Sequence, residues 1–180
     1  MPTIDWKREL IDQLDFAWDY HFLHRMKGMS DEEYLWEPVA DVWTVRPGES
    51  GSGPTVDPQQ HVDPAPFTTI AWRMQHMADF FTKRRVNHFG DPESELMSAP
   101  VSLSAEEGMA NLKAAYDRWK HELETMPIEK LGEPCGQAEK YYPDSPFVAL
   151  VLHINREFIH HSAECCLIRD LYRQRDSLQK

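Results

Sequence analysis

Apolar residues recur at helical spacing along four long segments of the chain, and no segment of comparable length alternates as a half-buried strand would. The first runs from about Asp5 to Lys27, with Trp6, Leu10, Leu14, Trp18 and Phe22 at every fourth position. That spacing predicts an amphipathic helix with one buried stripe. Gly28 ends it. Ser30-Asp-Glu-Glu33 then matches a capping box, which predicts a short extra turn before Trp36-Glu37-Pro38.

Between Val39 and Pro66 lie five prolines and three glycines, including the stretch GESGSGP, so this connection is expected to be long and irregular. Val42, Trp43 and Val45 within it suggest an extended piece tucked over the bundle, either as a packed crossover or as a lid over a site. A second helix is predicted from Pro66 or Thr68 to His88. A third starts at Ser104, where Ser-Ala-Glu-Glu repeats the capping-box pattern, and ends before Pro127. After a second irregular stretch, Ser145 as N-cap and Pro146 at the first helical position open a last helix that continues towards Leu178. Four helices with two long connections predict an all-α four-helix bundle, as a single domain over residues 1–180.

Composition narrows the function classes. The net charge of -11, from 19 Lys and Arg against 30 Asp and Glu, argues against a nucleic-acid partner, which needs a clustered basic face. No stretch nears the ~20 apolar residues of a membrane span, and MPTIDWKREL lacks the basic-then-apolar form of a signal peptide, so a cytoplasmic protein is expected. Cys165 and Cys166 are neighbours whose side chains diverge by about 100° on a helix, and Cys135 adds no zinc-ribbon spacing. All three are expected to be reduced, packed thiols. Serine-triad, phosphate-loop and H-E-x-x-H patterns are absent.

The candidate chemistry sits on the last helix. Phe147, Val151, Ile154, Phe158, His161, Cys165, Ile168 and Tyr172 alternate by fours and threes, a seam packed into a bundle, and His161 is its one basic member. Glu157 lies about 40° from His161 around the helix and points the same way. Glu164 is next nearest, while His153 and His160 fall towards the rim. On the second helix, His76 stands one turn from both Trp72 and Phe80. Two imidazoles and one carboxylate form an open site suited to zinc, nickel, iron or manganese, with positions left for water or substrate. The competing reading is that the inward His and Glu pair with each other or with a buried donor. His21, near the middle of the first helix's stripe, is a further candidate ligand or a core histidine. His24, His61, His88 and His121 read as surface residues.

The segments QLDFAW, MSDEEYLWEP, VWTVRP, TTIAWRMQHMADFF and VLHINREFIHHSAECCLIRDLY, in this order, resemble the DinB-like superfamily, in the branch akin to mycothiol-dependent enzymes. The resemblance covers nearly the whole chain. It implies a metal-binding bundle in which a second-helix histidine, here His76, joins two last-helix residues four apart. His161 matches the final ligand; Glu157 stands where relatives commonly carry a histidine. His153 and His160 remain possible replacements.

The same resemblance implies a thiol-dependent transferase or an isomerase, in which the metal presents a low-molecular-weight thiol to a small electrophilic substrate. Arg46, Arg73 and Arg156 are candidates for holding an acidic substrate. The contrasting expectation is a non-catalytic metal- or ligand-binding bundle with structural inner polar residues, and in either case a homodimer through the first and second helices.

Overall fold

The opening helix changes type along its length. It is α-helical over Trp6–Phe16, widens into a π-helix over Ala17–Leu23, and closes as α-helix over His24–Met26. An exact four-residue repeat drifts by about 40° per step on an ideal α-helix, so the stripe would wander off the core. The wider π turns offset that drift and keep Leu10, Leu14, Trp18, Phe22 and Met26 all buried. Two expectations are corrected as a result. Trp6, the first residue of the helix, is 59% exposed, and His21 turns outward against the ring of Phe16.

This computed structural model describes residues 4–49 and 51–178; the first three residues, Ser50 of the GESGSGP stretch and the last two residues lie outside it. Gly28, at φ +67°, ends the opening helix in the left-handed conformation that a side chain disfavours. Ser30 and Glu33 then form the complete reciprocal capping box of a short helix, Asp31–Tyr34. The long connection that follows carries a two-stranded antiparallel ribbon, Val45–Arg46 against Thr55–Val56.

The second long helix is Ile70–Phe89, capped by Thr69, whose hydroxyl accepts from the Trp72 amide. The third is Ala105–Thr125. Its capping box is only half made: Ser104 accepts from the Glu107 amide, but the Glu107 carboxylate takes the Ser102 hydroxyl instead. The last helix is Phe147–Arg173, with a short turn Arg175–Leu178 beyond it. Pro146 rather than Ser145 occupies its cap position, with extended backbone and no side-chain cap, one residue later than the sequence suggests.

Side-chain contacts fix how the helices run. Lys7 reaches the carbonyls of Glu124 and Met126 while Asp15 binds Tyr116 and Lys120, so the first and third helices are antiparallel. Asn155 bonds to Leu10 and Gln13, and Arg25 to Asp170, so the first and last run parallel. Arg73 pairs with Glu164 whereas His88 packs on Phe147, so the second and last are antiparallel. Phe81 meets Tyr116 and Phe89 meets Trp119, so the second and third run parallel and residues 90–104 form the crossover, while the two longer irregular connections join antiparallel helices.

The core is aromatic, with Trp18 stacked on Tyr116 at 4.1 Å and Phe158 edging Phe22. Inside it lies a pair that no sequence pattern announces. Arg169, 1% exposed, meets Glu33 through two parallel contacts of 3.1 Å, and also donates to the Arg25 carbonyl. Among the described residues no helix is long and apolar enough to cross a membrane.

Candidate metal centre

The second and last helices cross where His76 faces His161. His76 is pinned by its own helix: its ring lies flat on Trp72, 5.2 Å between centroids, and Phe80 meets it edge-on. The spacing of four residues stacks these rings one above another. Trp72 is in turn fixed by donating from its indole nitrogen to the Asp57 carbonyl at 2.8 Å, and by Trp43 at 5.3 Å. The long connection therefore walls the His76 side of the site. It is tied down by the Trp43–Thr68 bridge and by the Thr44 and Thr69 hydroxyls, 2.9 Å apart.

From the last helix, His161 is buried in the seam and Glu157 sits at its edge, 35% exposed. His161 Nε2 lies 3.3 Å from Glu157 Oε2, and the two histidine rings meet perpendicular at 4.8 Å. Candidate ligand atoms of His76, Glu157 and His161 all lie within 4.8 Å of one another. Ligands held about 2.0–2.1 Å from an ion in a tetrahedral shell stand roughly 3.3 Å apart. The donor set and the His161–Glu157 spacing thus fit a divalent ion.

Protonation states favour the same use. Burial, with the nearby His161 and Arg73 adding to it, pushes His76 down to about 4, so its imidazole is neutral and its lone pair free near pH 7. Glu164 Oε2 stands 2.7 Å from His161 Nδ1 and 3.1 Å from Arg73 Nε. Burial tends to raise the Glu164 pKa, but the His161 hydrogen bond and the Arg73 charge outweigh it and hold the carboxyl below its ordinary value. An ionised carboxylate has no proton to give, so in this contact His161 Nδ1 donates to Glu164, and Nε2 is turned towards Glu157. A carboxylate gripping the far nitrogen is the usual second support of a metal-bound histidine.

His160, His161 and Glu164 form another compact group. It is the poorer cation site, because the Arg73 guanidinium already occupies Glu164 and His160 is exposed. His153 lies 3.6 Å from Glu157 at the rim. His88 is not a surface residue: its side chain is buried against Phe147 and Glu139. Nor are two of the proposed anion-binding arginines available, since Arg46 is engaged by Asp57 and Glu37, and Arg73 by Glu164. The role of Glu164 was signalled only by its place three residues after His161, and that of Arg73 by its place three before His76.

The DinB superfamily model matches residues 13–165. The chain belongs to the DinB superfamily. Neither the curated proteins nor the solved structures yield a match. Members of the superfamily are often metal-binding, which agrees with the donor set of this DinB protein.

Two outcomes follow from the geometry. Glu164→Ala is expected to weaken zinc affinity by about 10- to 100-fold, as loss of an outer-shell partner does, measured by competition with a chromogenic chelator; unchanged affinity would show the ring is held by other means. In metal-stripped protein, His76 takes up a proton near 6.5 when unfolded but only near 4 when folded. Stability is therefore expected to fall as pH drops from 6.5 towards 4, by roughly 2 kcal/mol at pH 4.5. Urea unfolding of His76→Gln should lack this component; an identical acid slope in both proteins would contradict it.

Proposed function

We propose that this DinB-superfamily protein is a metal-dependent enzyme of thiol-transfer or isomerase type, in which His76, Glu157 and His161 hold one divalent ion. The observation that carries the reading is the meeting of a neutral second-helix imidazole with a carboxylate and an oriented imidazole from the last helix. Zinc, nickel, iron or manganese in such a site supplies Lewis acidity and lowers the pKa of a bound thiol. The chain's own residues do the rest. Glu164, itself paired with Arg73, holds the orientation of the His161 ring, Trp72 and Phe80 fix the His76 ring, and the Trp43 segment keeps water from its outer side.

Cobalt in place of the native ion reports on thiol binding directly. Mycothiol, glutathione or cysteine is expected to intensify and shift the visible absorption of the cobalt protein, in a saturable way. A spectrum unchanged by all three at saturating concentration would remove the thiol-dependent part of the reading.

A further inference from the structure

Beside the metal centre, between the last helix and the 133–146 segment, lies a cleft of about 670 Å³. That is within the usual range for small-molecule sites. Glu157 lines it and so belongs to both the cleft and the candidate centre. We propose that this cleft binds a carboxylate-bearing molecule with a flat apolar body, its carboxylate on Arg156 and its body between Tyr142 and Leu152. The proposal rests on the metal-dependent reading for its use in catalysis, but not for binding itself.

The charges along the walls single out Arg156. Arg84, also in the wall, is committed to Glu139 at 3.1 Å, and the same Glu139 oxygen takes His88. The remaining acid, Glu157, faces His161 and His153. Arg156 is exposed and, among the described residues, makes no ion pair, in a chain whose net charge is -11. A guanidinium left open at a cleft suits a planar carboxylate, which it grips with two parallel hydrogen bonds.

The apolar part has its own signature. Of the residues lining the cleft, Tyr141 and Tyr142 are 81% and 71% exposed, and Leu152 is exposed as well. The segment that presents the tyrosines is not a loose tail. Cys135 donates its amide to the Ser145 carbonyl at 2.9 Å, Gly136 to Pro143 at 2.8 Å, and Tyr142 to Glu139 at 2.9 Å. A stitched turn that holds two aromatic rings in water serves as a platform for stacking.

The test is calorimetric titration of 2-naphthoate against its uncharged analogue 2-naphthamide, in metal-stripped and zinc-titrated protein. Naphthoate is expected to bind at least about tenfold more tightly than the amide. Arg156→Gln should abolish that preference, and Tyr142→Ala should weaken both ligands alike. Equal binding of the two ligands, no binding of naphthoate, or a preference that survives Arg156→Gln would overturn the proposal. Arg156-dependent binding in protein that takes up no zinc leaves the cleft standing and removes the metal reading. Zinc uptake without that dependence does the reverse.

Discussion

Replacing Glu33 by Ala is expected to destabilise the protein by about 3–5 kcal/mol, the cost of stranding a buried charge. The Glu33 carboxylate lies against Arg169 and Arg173 and also closes the capping box on Ser30. Without it, Arg169 keeps only the Arg25 carbonyl in a site that excludes water. Urea unfolding at pH 7 measures the loss, and a cost below about 1 kcal/mol would mean that water reaches the guanidinium after all. Adding Arg169→Met should recover much of it, because removing both charges is far less costly than removing one. Burial raises the Glu33 pKa, but its bonds to Arg169 and Ser30 prevail and set it below the ordinary 4.5. The pair's stabilisation is therefore present above that value and lost as pH falls through the lower folded one. Glu33→Ala should flatten this part of the acid limb.

The second large effect concerns Glu157. Glu157→Ala is expected to reduce zinc affinity by about a thousandfold, well beyond the 10- to 100-fold range of outer-shell partners. His160→Ala should change it by no more than about threefold, because His160 is exposed and lies next to a carboxylate already paired with Arg73. Competition titration of the two variants decides between the faces of the helix. Equal losses would place the ion on the His160 side.

The helices and the inward positions of His76 and His161 were legible because both depend on local periodicity: apolar seams repeat every three or four residues, and polar members of a seam must point inward. That His76 meets the last-helix pair came from the resemblance to the DinB-like superfamily. What escaped the sequence depends on other things. The π-helical widening is a compromise between a strict four-residue repeat and a straight core. It turned His21 outward. The Arg169–Glu33 pair joins residues 136 apart whose types usually lie in water. Glu164 and Arg73 gain their meaning only from each other, across two helices whose relative height periodicity does not give. The Ser104 box was half made because Ser102, unremarkable in the sequence, competes for Glu107.

The most direct measurement is elemental analysis of protein purified without an affinity tag, together with melting temperatures of the stripped form. About one equivalent of a transition metal per chain is expected, with a clear rise in melting temperature when zinc or nickel is returned to the stripped protein. Less than about a tenth of an equivalent, with no gain in melting temperature from either ion, would contradict the metal centre of His76, Glu157 and His161.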